Sequence, residues 1–509
     1  MSVNVPVNDP SLIAVAEPRT GLDATLAPPA DNHAVRSVKL GLGALSVYGS
    51  GALVENITTW VVGYLALFYL TWVCGLSGAL AGGVLGATLL VDSVIDPVVG
   101  SLSDNSRSRH GRRHPFMLGS VVPIVVTFGL FFSAPRGVHG LALFGYAMAA
   151  LFAMRVAISF FYVPYMALGA ELTDDYAERS TVVAGRVFFT VIGTLVAASL
   201  TWGVFLKGNG REHASAYVPL AWTFGGIVAA AALLSTLGTL RARGRLHAAP
   251  TGRSFGLRQL LGEVAEVLRN RSFLSLFFPC LILFTALGAA GALTLHANTF
   301  FWELGSPQIL LLSLLAPVGI FAGIFAAGLL ARGMEKRSTA MLGLAMIGLA
   351  QVGPVVLRLS GVIPASAAVP ALAVATILGG FGGSVATIAF QSMMADAADE
   401  HEHLFGARRE GLYFAGITMS AKASSGLGAW IGGVTLDLIG FPHGGAGTPV
   451  LLSHIPPAAI RNLGIAYGPG AAVFTAVAVA VLMTYKLTKA DHARIQADLN
   501  SRRAAKAAD

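Results

Sequence analysis

This sequence of 509 residues has only two cysteines and few charged side chains, and each shortage excludes a class of protein. Cys74 and Cys280 are far apart along the chain, so we expect neither a disulfide framework nor a cysteine metal cluster. Charged residues make up 12% of the chain and hydrophobic residues 55%, which excludes an ordinary soluble globular domain. The sequence contains no phosphate-binding loop with a lysine, zinc-binding helix motif or nucleophile elbow, so we expect neither an enzyme nor a bound cofactor.

Long apolar runs account for most of the sequence. A helix of about 20 apolar residues crosses the hydrocarbon core of a bilayer, and about twelve runs of this kind recur along the chain. The predicted spans lie near residues 40–73, 77–101, 115–134, 140–170, 180–206, 216–240, 272–301, 307–331, 339–357, 365–395, 411–440 and 464–486. The sequence therefore predicts an all-α integral membrane protein with 12 transmembrane helices.

Lysine and arginine concentrate on alternate connections between these spans, including those after the second, sixth, eighth and tenth spans. Basic connections remain in the cytoplasm, so we expect a multi-pass protein of the bacterial inner membrane with both termini cytoplasmic. The net charge of +8 is explained by these connections, and we expect no nucleic-acid partner. The expected partners are a small-molecule substrate and membrane lipid, and we expect the chain to be a monomer.

The spans divide into two related halves. The connection 241–271 is longer and more polar than its neighbours, and the acidic run Glu171 to Asp175 after the fourth span is echoed by Asp396 to Glu400 after the tenth. Two related six-helix bundles are the layout of the major facilitator superfamily fold, in which substrate binds near mid-membrane between halves that rock. The predicted order is a disordered cytoplasmic tail at 1–39, a bundle at 40–240, a cytoplasmic loop at 241–271, a bundle at 272–487 and a cytoplasmic tail at 488–509.

Asp92 and Asp96 lie in the otherwise apolar second span. An ionised carboxylate inside a membrane costs roughly 2.5–3.5 kcal/mol on insertion scales, so we expect a cation, a proton or an opposing charge beside this pair. Residues at i and i+4 share a helix face, where two carboxylates offer hard oxygen ligands to sodium or share a proton. The alternative is a structural ion pair near the helix end.

Two segments carry a specific pattern. The first comprises Asp92, Asp96-Pro97, Gly100, Asp104, Arg107, Arg109, Arg112-Arg113 and Pro115-Phe116, and the second comprises Ala395-Asp396, Asp399-Glu400, Glu402, Gly406, Arg408-Arg409-Glu410-Gly411 and Tyr413. With the span spacing over about 38–490, this pattern resembles the glycoside, pentoside and hexuronide cation symporters of the major facilitator superfamily.

The resemblance implies roles for four residues. Asp92 and Asp96 match the family's cation site, and Lys422 matches a lysine of its eleventh span. If the coupling cation displaces this lysine from the carboxylates, ion binding is linked to the docking of the two halves. The alternative is a lysine whose side chain extends to the membrane surface. Arg186 matches an arginine of the fifth span that would bind substrate or brace a carboxylate. Arg155 has no family counterpart, and a buried pair with Glu55 is one structural role for it.

Charged residues on the cytoplasmic connections resemble the gating loop general to this fold, in which charges latch neighbouring helix ends. For any single arginine, a topology signal in a solvated loop is an equal explanation. The predicted gate consists of Asp104, Arg109, Arg112, Arg113, Asp174, Asp175, Asp396, Asp399, Arg408 and Arg409. We expect Asp174, Asp175, Asp396 and Asp399 to be the partners of the arginines.

The substrate contacts differ from those of sugar-transporting family members. Those members have an aspartate in the first span and another before the fourth-span proline, whereas this sequence has Asn56 beside Glu55 and Tyr162 at these places. The candidate substrate-binding residues are Asn56, Glu55, Tyr162, Arg186, His296 and Asn298. For the last two, which lie in the seventh span, a hydrogen-bonded core pair is the alternative.

We therefore expect a secondary active transporter that imports a glycoside, sugar or related polar organic solute with sodium or a proton by alternating access. A lysophospholipid or another amphiphile is the alternative solute. A non-transporting membrane assembly or signalling factor on this scaffold is the alternative of another class. The presence of both aspartates together with Lys422 favours a transporter, while the sequence leaves the ion and the solute open.

Overall fold

The computed structural model describes residues 41–106, 108, 111–135, 137–173, 175–240, 262, 265–406, 409–444 and 455–508, where it contains helices and no strand. Among these residues, the long helices are α1 (Leu42–Val73), α2 (Gly78–Asp104), α3 (His114–Phe131), α4 (Gly140–Glu171), α5 (Glu178–Phe205), α6 (Ala214–Leu240), α7 (Arg271–Phe301), α8 (Ser306–Gly333), α9 (Lys336–Leu359), α10 (Ala368–Phe405), α11 (Glu410–Leu438), α12 (Pro457–Leu482) and α13 (Lys489–Ala508). The predicted tail 1–39 and most of the predicted loop 241–271 lie outside the described residues.

Eleven of these helices, α1 to α10 and α12, are long and apolar enough to cross a membrane. Helix α11 does not reach that hydropathy because glycine and serine replace large apolar residues along it. These small residues allow close packing: a Cβ atom on Gly428 would lie 2.1 Å from the backbone oxygen of Thr285 in α7, and one on Gly433 would lie 2.1 Å from that of Gly78 in α2. Helix α11 is therefore held between α2 and α7 by backbone contacts that only glycine permits.

The observed helices agree with the predicted spans to within a few residues at most ends, and two differ more. Helix α10 continues to Phe405, ten residues beyond the expected end at 395, because Ala, Asp, Glu and His extend it as a polar helix. Helix α12 begins at Pro457, seven residues before the expected 464, and proline suits the first turn of a helix.

Each half has its own packing. In the first half, α4 packs against α2 and α3, while α1 packs against α5 and α6. In the second half, α10 packs against α8 and α9, while α7 packs against α11 and α12. The terminal end of the molecule is the end at which α1 begins and α13 lies. The distal end is the opposite end, at which α1 ends and α2 begins.

The first helix of each half ends in the same backbone geometry. Helix α1 finishes in a π-turn at Tyr69–Val73 and α7 finishes in one at Ala297–Phe301. The next turn contains a residue with positive φ in both halves, Gly75 at 76° and Glu303 at 54°. Equivalent backbone bonds close the two ends, from Leu76 N to Leu70 O and from Leu304 N to Asn298 O. This equivalence supports the predicted internal repeat.

Helix α13 packs against the polar extension of α10. Its start is set by Thr488 and Asp491, whose side chains each accept a hydrogen bond from the backbone N–H of the other. The hydrogen bonds from Thr488 lower the pKa of the Asp491 carboxyl below its usual value. Gln496 and His492 of α13 contact Asp399, at 2.6 and 3.1 Å. The predicted tail 488–509 thus includes a helix docked at the terminal end.

Candidate functional site

A cavity of about 380 Å³ lies between the two halves, with walls from α1, α2 and α4 of the first half and α7 and α11 of the second. Its charged lining residues are Glu55, Asp92, Asp96, Arg155 and Lys422. Asp92 and Asp96 share one face of α2, one turn apart, as the spacing predicts. The residue after Asp96 is proline, which has no N–H to bond the carbonyl four residues earlier. The cavity therefore gathers intramembrane charges from four helices, α1, α2, α4 and α11.

Asp92 pairs with Arg155. A guanidinium nitrogen of Arg155, Nη1, donates to Asp92 Oδ2 at 3.3 Å, and the two residues are 9% and 5% exposed. Arg155 is therefore in a buried ion pair, and its partner is Asp92 and not Glu55, which was one partner that the sequence suggested. Helix α4 packs directly on α2, which turns this face of α4 toward Asp92. Glu55 instead accepts a hydrogen bond from Thr59 on its own helix, at 3.3 Å.

Asp96 has partners from both halves. Ser159 Oγ in α4 donates to Asp96 Oδ1 at 2.7 Å, and Lys422 Nζ in α11 donates to Asp96 Oδ2. About a quarter of the Asp96 side chain and a third of the Lys422 side chain are exposed, so solvent reaches this pair. Helix α7 comes close enough to α11 beside Lys422 because Gly288 faces the Ser425 backbone, where a Cβ would lie 2.4 Å from its oxygen. The expected proximity of Lys422 to the aspartates is present.

A sodium ion does not fit these residues as they are arranged. Hard cations take several oxygen ligands, yet both oxygens of Asp96 and one of Asp92 each have a hydrogen-bond donor against one of their two lone pairs. Two of the three donors are themselves cations, and a guanidinium is never deprotonated in a protein. Among the described residues there is also no group of three or more His, Cys, Asp or Glu placed to hold a metal ion.

The candidate substrate residues are separated by the structure. Glu55 and Tyr162 line the cavity, beside the charged residues of α2. Asn56 faces α5 and accepts a hydrogen bond from Thr194 at 3.3 Å. Arg186, also on α5, donates to Met166 Sδ at 2.9 Å. Only the first two therefore contribute to the cavity wall in this state.

His296 and Asn298 join the halves away from the cavity. Nε2 of His296 lies 2.9 Å from Thr71 Oγ1 in α1, and the Asn298 amide donates to Tyr64 OH at 2.9 Å. His296 is 1% exposed and Asn298 is 6% exposed. Each therefore makes a buried contact with the opposite half rather than with its own helix, which the sequence pattern did not indicate.

Two predicted gate arginines of the first half pair with Glu171, an acidic residue that the predicted gate did not include. Arg113 pairs with Asp104 at 2.6 Å and with Glu171 at 2.9 Å, and Arg112 pairs with Glu171 at 2.7 Å. Glu171 is the last residue of α4, and the expected partner Asp174 lies outside the described residues. Glu171 belongs to the acidic run after the fourth span, and its position at the end of that span was the signal that could have identified it as a partner of the arginines.

The gate residues of the second half also pair within their own half. Lys336 at the start of α9 bonds both carboxylate oxygens of Asp396 at 2.7 Å, and Asp399 contacts α13 as described above. Arg409 lies directly before α11. Arg109, Asp174 and Arg408 lie outside the described residues.

The distal end holds a seal between the halves that the sequence did not indicate. Asp437 at the end of α11 accepts hydrogen bonds from the first two backbone N–H groups of α2, those of Gly78 at 2.7 Å and Ala79 at 2.8 Å. Below this cap, α2 and α11 touch through glycine, since a Cβ on Gly86 would lie 2.9 Å from the backbone oxygen of Gly426. Ser306 Oγ donates to the Leu206 carbonyl at 2.7 Å, which joins α8 to α5. The distal end is closed in this structure.

Comparisons with known proteins agree with this architecture. Residues 47–489 match the family described as MFS/sugar transport protein. An uncharacterized symporter of Synechocystis sp. is 25% identical over 546 residues, covering 92% of this chain and 99% of the relative. The isoprimeverose transporter of Lactiplantibacillus pentosus is 22% identical over 391 residues, covering 76% of this chain and 78% of the relative. The crystal structure of a bacterial homologue of the human lysosomal transporter Spinster is similar with a TM-score of 0.60 and 13% identity, over 88% of this chain and 98% of that one, which concerns the fold alone.

Proposed function

Because the chain belongs to the family of MFS/sugar transport proteins, which confirms its resemblance to the glycoside, pentoside and hexuronide cation symporters, we propose that it is a cation-coupled symporter of a glycoside, sugar or related polar organic solute. Relatives named as a symporter and as an isoprimeverose transporter support this proposal. The terminal end would face the cytoplasm of a bacterial inner membrane, and the chain would work as a monomer.

The observation that carries the proposal is the ion pair between Asp96 and Lys422, which joins the two halves inside the membrane. A cation that binds Asp96 competes with the lysine, so ion binding and the docking of the halves share one carboxylate. A ligand shifts a conformational equilibrium only through such a difference in affinity between the two states. The pair therefore provides a direct link between an ion gradient and alternating access.

The solute would bind in the same cavity. A volume of about 380 Å³ suits a small sugar or glycoside, and the carboxylate of Glu55 and the hydroxyl of Tyr162 are suitable partners for sugar hydroxyl groups. Asp96 and Lys422 line the same space, so solute and cation would affect each other's affinity at short range.

A cavity of about 1020 Å³, lined by the second half except for Val187 of α5, favours an amphiphile as the second candidate solute. It contains no charged lining residue and meets the charged cavity at Leu287, which lines both. An acyl chain would occupy this space while the polar group stayed beside Asp96 and Lys422.

Thermal unfolding of the purified protein in detergent tests the proposal. The panel would contain melibiose, isoprimeverose, alkyl glycosides and lysophosphatidylcholine. A ligand that binds only the native state raises its stability, by about 2.7 kcal/mol at a hundredfold excess over Kd. We expect a glycoside to raise the unfolding temperature and to be accumulated by proteoliposomes under an ion gradient, and we expect Asp96→Asn to abolish accumulation. Stabilisation by lysophosphatidylcholine alone would replace the first solute with the second, and undiminished accumulation by Asp96→Asn would contradict the coupling role.

A further inference from the structure

Building on the proposed symport, we infer that Arg155 determines the ion specificity of the cavity: it neutralises Asp92 in every state of the cycle, so that sodium is excluded and a proton on Asp96 drives transport. Arg155 has no counterpart in the family that the sequence resembles, and the misfit of sodium to the arranged carboxylates points to it.

The two ion pairs of the cavity differ in which helices they join. Arg155 and Asp92 belong to α4 and α2, which pack against each other in the same half. Rocking of one half against the other leaves the distance within a half unchanged. Lys422 and Asp96 belong to opposite halves, so their contact changes whenever the halves move. The first pair is permanent and the second is exchangeable.

Burial makes the first pair difficult to displace. Asp92 and Arg155 are both more than nine-tenths buried, and separating them would leave two uncompensated charges away from water. A sodium ion at Asp92 would have to remove the guanidinium or lie beside it. Asp92 is thus lost as a ligand, and of the two α2 carboxylates only Asp96, which is bonded to the ammonium of Lys422, is left for a hard cation that takes several oxygen ligands.

The charge balance leaves room for one positive charge. Asp96 is faced by Asp92 from its own helix, Glu55 from α1, Arg155, Ser159 and Tyr162 from α4, and Lys422 from α11, while the part of α7 that lines the cavity is uncharged. With every acid and base ionised, three carboxylates face two cations, so the cavity has one excess negative charge. One proton makes it neutral.

Protonation of Asp96 releases the link between the halves. The proton bonds to Asp96 Oδ2 through a lone pair of that oxygen, and the hydrogen bond from Lys422 Nζ to the same atom breaks. Lys422 keeps its own proton and its charge, and Glu55 is the remaining carboxylate of the cavity that lacks a cation partner among the described ion pairs. No metal ion takes part in this step.

The first test needs no solute. The intact purified protein would be unfolded thermally in sodium chloride and in choline chloride at equal ionic strength. We expect the unfolding temperatures of the wild type to agree within about 1 °C. Arg155→Gln frees Asp92, and we expect this variant to gain a saturable, sodium-specific rise of about 2 °C or more. Arg155→Lys keeps the positive charge and should respond like the wild type. Arg155→Gln with Asp92→Asn should lose the gained response.

Three results would overturn the inference: a saturable sodium-specific stabilisation of the wild type, an equal sodium response of Arg155→Lys and Arg155→Gln, or no sodium response in a folded Arg155→Gln. If Arg155→Gln does not fold, binding of radioactive sodium to the wild type decides, with Asp92→Asn as control; we expect no difference, and more sodium on the wild type would refute the inference. Accumulation of a glycoside driven by sodium alone would refute the inference while supporting symport. A complete lack of solute transport would refute the proposed function but not the solute-free sodium result.

Discussion

At the residue scale, the cavity places chemically similar carboxylates in different roles. Asp92 is buried against a partner on a neighbouring helix of its own half, whereas Asp96 is partly exposed and bonded to the other half. A carboxylate that keeps the same partner in every state cannot couple ion binding to the movement of the halves, whereas one that exchanges its partner can. The difference arises from helix packing and not from the residue type.

Lys422→Ala tests the exchangeable pair. Removing the ammonium leaves Asp96 bonded only to Ser159, so cation binding no longer competes with docking of the halves. We expect gradient-driven accumulation in proteoliposomes to fall at least tenfold while solute exchange at equal ion concentrations persists. Lys422→Arg keeps a cation at this position and is the matched control. Wild-type accumulation by Lys422→Ala would contradict the role of the lysine in coupling.

Glu303 is strained for a residue with a Cβ. Its φ of 54° lies in the left-handed region, and its side chain is 65% exposed in the pair with Arg358, so that pair adds little stability. We expect Glu303→Gly to raise the free energy of unfolding by about 0.5–1 kcal/mol, measured as a higher unfolding temperature. Gly75→Ala at the equivalent position of α1 should lower stability. A clear loss of stability in Glu303→Gly would show that Arg358 depends on this carboxylate.

At the element scale, the closed distal end depends on glycine contacts between α2 and α11. Their backbones approach closely enough that Gly78 and Gly433 leave no room for a methyl group on either helix. Lipid does not supply the hydrophobic driving force that water supplies. Helices in a membrane therefore associate through the dispersion contacts that such a close approach gives. The seal is thus a property of two helix faces and not of single residues.

Gly433→Ala tests the glycine contact. The added Cβ would lie 2.1 Å from the Gly78 oxygen, so the helices must separate and the closed state loses about 1–3 kcal/mol. We expect slower transport and a lower unfolding temperature. Gly411→Ala is the matched control on the same helix, because nothing lies within 4 Å of its added Cβ. Equal behaviour of the two variants would show that α11 is not tightly packed at this position.

At the scale of the whole molecule, Asp437 holds the two halves together only while the distal end is closed. It caps α2 of the first half from α11 of the second through two charge-assisted hydrogen bonds. When the halves rock apart at this end, the cap must break, so its strength adds to the stability of the closed state alone.

Asp437→Asn should therefore shift the population toward the state open at the distal end. A loss of about 1.4 kcal/mol from the closed state corresponds to a tenfold change in the ratio of states. The measurement is thiol labelling of Ala429→Cys from the distal side, with Cys74 and Cys280 replaced by serine, because Ala429 lines the cavity behind the seal. Asp437→Glu, which keeps the charge, is the control. Unchanged labelling in Asp437→Asn would exclude Asp437 as a latch.

Most of the helical organisation was predictable from the sequence. Apolar runs long enough to cross a bilayer determine where the spans lie, and this property is local to each run, so the observed helices match the predicted spans closely. The repeat of acidic motifs predicted two halves, and the equivalent ends of α1 and α7 agree with it. The intramembrane charges at Asp92, Asp96 and Lys422 were evident because such groups are rare in apolar helices.

The sequence by itself thus determined the spans, their order and the residues that must find a partner in the membrane, because length and composition act along the chain. Only the tertiary structure decided which partners they find: Arg155 bonds Asp92 instead of Glu55, and Arg112 bonds Glu171. Asp437 likewise has no role until α11 meets α2. Pairing depends on which helix faces meet and on how each helix is rotated, and a pattern in one dimension does not specify either.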